Sequence, residues 1–157
     1  GIRMYQYRHG HAGDLPWLIP AAAAAAWESL DPDERARSHP AMAVQRAAMQ
    51  CHQVLAAPGS VLLVAQHGAQ PVGYLVLALA KDGSTEEPTA LLVDLWVHPA
   101  HRRRGVGSTL LAAAERGVAA MGLRKLKLWT GLHQQEAVAF ARSRGFVPAG
   151  LIGVKDL

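Results

Sequence analysis

Only one cysteine, Cys51, occurs in the 157 residues. It excludes an internal disulfide and removes any requirement for an oxidising compartment. Cys51 falls in a helical pattern with Met49 and Val54, where a buried, inert thiol is expected rather than a nucleophile. Long apolar runs are also missing: no segment reaches the roughly 18 uninterrupted apolar residues of a membrane span. LPWLIPAAAAAAW has the look of a secretory leader, but Pro16 and Pro20 interrupt it, Asp14 abuts it, and the strand-like IRMYQYR stands where a charged leader belongs. A cytosolic (cytoplasmic) protein with no membrane partner is expected. Zinc-finger, helix-turn-helix and RNA-recognition signatures are absent. Aromatics make up 6% of the chain and none interleave the arginines as stacking platforms, so nucleic acid is not the expected partner. No repeat or linker divides the chain, and a single domain over residues 1–157 is expected.

What is present is apolar and basic. Half the residues are hydrophobic, enough for one substantial core, and the formal charge is +4. A positive balance favours an acidic partner without naming it. Alternation over residues 2–8 predicts a first strand, and helices follow over about 14–30 and 41–55, separated by DPDERARSHP. Trp17, Leu18, Trp27 and Leu30 are expected to form the buried face of the first helix; Met42, Val44, Met49 and Val54 are the apolar positions of the second. A hairpin turning at His67–Gln70, a strand in ALLVDLWVHP, a helix over 105–121, a strand in LRKLKLW and a helix over 134–144 come next. FVPAGLIGVKDL is expected to close the chain as two short strands. The order β-α-α-β-β-β-α-β-α-β-β predicts an α+β (mixed α/β) fold: a twisted mixed sheet of six to seven strands flanked by about four helices.

The densest charge lies in HPAHRRRGVGSTLL, residues 98–111. A strand, a short basic loop and a helix beginning near Gly105 make an anion site for a physical reason. The first N–H groups of a helix lack intrahelical partners, and the helix dipole adds partial positive charge there. Gly105 and Gly107 keep side chains away from those amides, and Arg102, Arg103 and Arg104 supply charge-assisted hydrogen bonds. A nucleotide P-loop needs a lysine before Ser108, and a dinucleotide fingerprint needs glycine where Leu110 stands. Both are disfavoured.

These residues carry a resemblance. LLVDLWVHPAHRRRGVGSTLL resembles the acetyl-CoA-binding signature of the GNAT superfamily of acyl-CoA N-acyltransferases, whose loop reads Arg or Gln, two variable residues, Gly, one variable residue, then Gly or Ala. Arg102 to Gly107 satisfy it, ARSRGFVPAG resembles the family's second conserved block, and YRHGHAGDLPWLI resembles its first strand and the start of its first helix. The resemblance implies an N-acetyltransferase that moves an acetyl or other acyl group from acyl-CoA to a primary amine of a small molecule, peptide or protein in a ternary complex. It implies acetyl-CoA or another acyl-CoA as co-substrate, lying where the strands at 90–97 and 123–130 splay apart, no metal, and leaves a homodimer open. Main-chain groups of Leu95, Trp96 and Val97 would hold the pantetheine arm. The amides from Arg103 through Val106 to Ser108 would hold the pyrophosphate, and Gln134 would stand near the cofactor in place of an asparagine.

Acyl transfer needs a neutral amine, which makes a base useful. Asp94 interrupts an apolar strand, and the resemblance puts a carboxylate in or near the acceptor cleft there. It is either that base or a hydrogen-bonded aspartate that places the substrate ammonium. The tyrosine that protonates the leaving thiolate in many relatives is Ala141 here, leaving Tyr74, His133 or water as candidates and a non-catalytic acetyl-CoA-binding sensor as the alternative function. Glu28, Asp31, Asp33 and Glu34 are either an attraction for a cationic acceptor or a solvated helix end. His9 and His11 lack companion ligands, so no metal site is expected. His98 and His101 border the basic loop, either as ordinary loop residues or as added positive charge below neutral pH.

Overall fold

The structure, a computed structural model, describes residues 4–157. The first strand, β1 (Gln6–His9), is shorter than the alternation predicts, and residues 2 and 3 of the expected strand lie outside the described residues. A single helical turn leads into α1 (Leu15–Ser29). The turn is held by Asp14, 5% exposed, whose carboxylate accepts from Arg8 Nη1 and Nη2 at 2.9 and 2.6 Å and from the His11 backbone N–H at 2.9 Å. Arg8's hydrogen bonds hold the Asp14 carboxyl below the usual range, against the opposing effect of burial. This contribution is complete above the unfolded-state pKa and is lost as pH falls through the lowered folded value. Asp14→Ala removes Arg8's carboxylate partner, leaving it the Gln66 side chain and the His9 carbonyl, and is expected to cost about 2 kcal/mol, since Arg8 is a third exposed, measured as a lower midpoint in chemical denaturation.

Two expectations about the helices change. Within DPDERARSHP lies a short helix, α2 (Pro32–Ala36), started by a reciprocal capping box between Asp31 and Glu34 with Pro at its first position. The third helix, α3 (Pro40–Ala56), follows. Apart from Leu18, the buried faces are lined by small residues: Ala21 and Ala23 on α1, Ala47 and Cys51 on α3. Trp17 and Trp27 are half-buried, while Met42, Val44 and Met49 face outward. Alanine faces allow close approach of α1 and α3, which leaves the larger side chains at the rim.

The expected hairpin forms β2 (Val61–His67) and β3 (Gln70–Lys81), and β4 (Pro88–Val97) pairs antiparallel with β3. The next helix, α4 (Val106–Ala120), buries Val106, Leu110, Leu111, Ala114 and Val118 against one face of the sheet. Each leucine so buried is worth about 2 kcal/mol. The last strand, β5 (Leu126–Leu128), joins β4 in parallel, and α5 (Gln135–Ser143) ends the regular structure. The described sheet has five strands in the order β1-β2-β3-β4-β5, fewer than the six to seven expected, and five α-helices accompany it instead of about four. The class is the expected mixed α+β.

FVPAGLIGVKDL makes no strand. Pro148 lacks a ladder donor, and Gly150 and Gly153 weaken an extended segment. Val147, Leu151, Ile152 and Val154 are left exposed. The two faces of the sheet carry separate cores: α4 covers one, and α1 with α3 covers the other, where Tyr74, Val76 and Trp96 pack with Leu18 and Cys51.

Candidate active site

β4 and β5 remain paired only from Ala90↔Leu126 to Leu92↔Leu128. Beyond that rung they diverge, and β4 continues to Val97 without a neighbour on that edge among the described residues. The opening becomes a cleft of about 650 Å³, walled by the free part of β4, the end of β5, α5, the start of α4 and the last turn of α1.

A β-bulge sets which groups enter it. Val76 opposes Asp94 and Leu77 opposes Leu92, so Val93 is the extra residue. Before the bulge Ala90 and Leu92 pack on the α4 side. After it, Leu95 and Val97 take that side and Trp96 joins the α1–α3 side. The bulge thereby turns Asp94 toward Tyr74. Backbone groups follow the same logic. Ala90 N–H bonds the Lys125 carbonyl at 3.1 Å and His98 N–H bonds the Val72 carbonyl at 2.7 Å. Alternation therefore directs the N–H and C=O of Leu95 and Val97 toward the open edge and those of Trp96 toward β3. Trp96 reaches the cleft with its side chain instead.

Tyr74, 1% exposed, donates its hydroxyl hydrogen to Asp94 Oδ2. Burial, then the Asp94 charge, pushes the phenol far above its ordinary range, so Tyr74 stays protonated and donating. Burial raises the Asp94 carboxyl above the usual carboxylate range, opposed by the hydrogen bonds from Tyr74 and the Leu95 N–H. Neither of these partners is a cation. A carboxylate in that setting accepts a proton more readily than a solvated one.

At the far end of the cleft, Gly105 precedes α4 in the left-handed region (φ 82°), and no side chain caps the helix. The first intrahelical donor is Thr109, bonded to the Gly105 carbonyl at 3.0 Å, which leaves the amides of Val106, Gly107 and Ser108 without helical acceptors. A Cβ on Gly107 would stand 3.8 Å from Phe140 Cζ and 3.9 Å from Val97 Cγ2, ordinary contacts. Packing therefore does not demand glycine at 107. Arg103, a non-glycine residue at φ 62°, shapes the same turn.

The three arginines separate. Arg102 turns back: its Nη2 lies 2.8 Å from Glu28 Oε2, its Nε donates to the Val97 carbonyl at 2.8 Å, and its guanidinium lies 5.9 Å from the centre of the Trp96 ring. Its side chain is thus tied to α1 while it still lines the cleft. Arg103 borders the cleft, while Arg104 is exposed and outside its lining. The remaining expected positions, Gly105 through Ser108 and Gln134, do line it.

The sequence described here belongs with a known set of proteins: it matches the Acetyltransferase (GNAT) family over residues 23–146. The chain is a member of the GNAT family. An IAA acetyltransferase of Azospirillum brasilense is 33% identical over 101 residues, covering 64% of this chain and 63% of that protein. A mycothiol acetyltransferase of Stackebrandtia nassauensis is 33% identical over 91 residues, covering 58% of this chain and 28% of that protein. The chain therefore spans less than two thirds of the length of these curated relatives. The fold is shared with an aminoglycoside N-acetyltransferase solved in complex with CoA (TM-score 0.77, 16% identity, 98% of this chain and 94% of that chain).

In this GNAT chain the groups considered for protonating a thiolate are engaged elsewhere. Tyr74 bonds Asp94, and His133 Nε2 lies 2.7 Å from the Ser29 carbonyl oxygen. Ala141 lines the cleft at 7% exposure and offers no donor. His101 borders the cleft and is joined to Tyr5 through its Nδ1 at 2.9 Å. Burial and the neighbouring His67, Arg104 and His98 lower its pKa, which opposes the added positive charge considered for it. Two cleft groups were not singled out as ligands in the sequence, the Ser108 hydroxyl and Thr130; Arg144, outside the cleft lining, covers Phe140 and donates to Ser108 Oγ. Among the described residues no three His, Cys, Asp or Glu side chains meet as a metal site, and no helix is long and apolar enough to cross a membrane.

Proposed function

We propose that this protein transfers an acetyl or other acyl group from acyl-CoA to a primary amine of a small molecule, peptide or protein, by direct transfer with both substrates bound. The observation that carries this reading is a cleft with an uncapped helix N-terminus at one end and a half-buried, cation-free carboxylate at the other. The CoA named with one structural neighbour and the acetyltransferase names of the relatives support the donor. Their differing acceptors leave the amine open.

The residues present fit the carrier. The amides of Val106, Gly107 and Ser108 would bind its pyrophosphate through oriented donors and the helix dipole. Backbone groups of Leu95 and Val97 would hold the extended pantetheine arm as a neighbouring strand would. Asp94 would take a proton from the acceptor ammonium, whose ordinary pKa near 10.4 leaves about one molecule in a few thousand neutral at pH 7. Tyr74 would position the Asp94 carboxylate.

Incubation with acetyl-CoA and a panel of primary amines, followed by thiol release, tests the reading. Amine-dependent release is expected. Saturable acetyl-CoA binding with no turnover on any amine supports instead a non-catalytic acetyl-CoA sensor, the reading favoured by Ala141.

A further inference from the structure

Thr130 Oγ1 is buried and has no hydrogen-bond partner among the described residues, although it lines the cleft. A buried hydroxyl left unpaired is costly, and one on a residue that lines a binding cleft points to a partner reached by turning the side chain about its Cα–Cβ bond. Its level in the cleft narrows what that partner is. The last β4–β5 rung is Leu92↔Leu128, and the strands are parallel. Asp94, reached across the Val93 bulge, and Thr130, two residues on from Leu128, both lie just beyond it, on opposite walls. The anion turn lies further along, after Val97. A carrier anchored by phosphates at that turn and lying along Leu95 and Val97 would therefore bring its sulfur end to the level of Asp94 and Thr130.

Three other donors nearby are already engaged. Tyr74 serves Asp94, Ser29 Oγ donates to the Ala26 carbonyl at 2.7 Å, and Gln134 Nε2 donates to the Ser29 carbonyl at 3.3 Å.

We propose that the Thr130 hydroxyl donates a hydrogen bond to the sulfur of the acyl carrier and stabilises it as a leaving thiolate, in the place that Ala141 leaves without a donor. This rests on the acyltransferase reading above and names a further residue of that same site. In the reaction the amine nitrogen bonds to the acyl carbon, the carbon–sulfur bond breaks and its electron pair stays on sulfur. Of the three ammonium protons, one goes to Asp94, one ends on sulfur and one remains on the amide nitrogen. Thr130 keeps its own proton.

The test uses Thr130→Val and Thr130→Ser. In wild-type protein the thiol of bound CoA, followed by its ultraviolet thiolate absorbance, ionises at lower pH than free CoA. Thr130→Val is expected to lower the bound thiolate fraction at a given pH roughly tenfold and kcat roughly ten- to hundredfold, with the acetyl-CoA KM changed less than about twofold. Free Thr130→Val should melt no lower than wild type, because the substitution removes an unpaired hydroxyl at nearly constant shape. Thr130→Ser should restore the thiolate fraction. An unchanged thiolate titration and kcat in Thr130→Val would overturn the proposal, as would a lower melting temperature with no rescue by serine, the signature of a structural role. If wild-type protein shows no saturable CoA binding, the acyltransferase reading itself fails; if it binds CoA and Thr130→Val behaves as wild type, only the role of Thr130 fails.

Discussion

Asp94→Asn binds acetyl-CoA as tightly as wild type and turns it over about a thousandfold more slowly. The amide keeps the shape of the carboxylate and can still accept the Tyr74 hydrogen bond, but it cannot take the acceptor's proton. In wild type the acid limb of kcat/KM lies above the ordinary aspartate value near 3.9, because burial raises the Asp94 carboxyl. That limb disappears in the variant. The same shift fixes the sign of a stability effect. A carboxyl whose folded pKa is raised stabilises the fold while protonated, and that contribution is lost as pH rises through the folded value. At neutral pH ionised Asp94 is therefore a cost, and Asp94→Asn should melt higher than wild type, with the difference shrinking as pH falls. Thiol-release kinetics and thermal melts across pH check both halves. Wild-type turnover in the variant removes Asp94 from the chemistry.

Gly107→Ala is expected to weaken acetyl-CoA binding more than tenfold, and Gly107→Val further, while the fold gains stability. The added methyl meets only ordinary contacts at 3.8 and 3.9 Å, and alanine is favoured over glycine in a helix by about 0.5–1 kcal/mol. Its position beside the unpaired amides keeps a phosphate oxygen from reaching them. Gly105→Ala differs: at φ 82° a side chain is strained, so that variant loses about 1–2 kcal/mol of stability regardless of ligand. Calorimetric titration and denaturation midpoints on the two variants separate ligand approach from backbone strain. Wild-type affinity in Gly107→Ala would remove the amides from cofactor binding.

Periodic elements were the most legible. Val106, Leu110, Leu111, Ala114 and Val118 repeat at helical spacing and do form one buried face, and the hairpin turn at His67–Gln70 stands where its residues suggest. The position of the uncapped start of α4 was legible for the same reason, since free amides follow from a helix start and two glycines. The helix α2 was also written locally, in Asp31, Pro32 and Glu34, but the surrounding charges read as a break. The final strands failed because Leu151, Ile152 and Val154 are apolar residues of the kind strands use, yet nothing local states whether a partner edge receives them.

What the sequence could not reveal depends on register. The Val93 bulge gives no compositional signal, yet it decides that Asp94 faces Tyr74 and that Leu95 and Val97, not Trp96, present backbone groups to the cleft. The partner of Arg102, Glu28, lies 74 residues away; proximity in the loop suggested an anion instead. Whether the Thr130 hydroxyl is satisfied is likewise a property of everything packed around it.

The central claim, that bare amides at the start of α4 grip the carrier's phosphates, is tested most directly by following backbone amide resonances during a CoA titration of the whole chain. The resonances of Val106, Gly107 and Ser108 are predicted to show the largest shifts and to saturate together at one equivalent. Saturation accompanied by shifts confined to other regions, with these three unmoved, would contradict it.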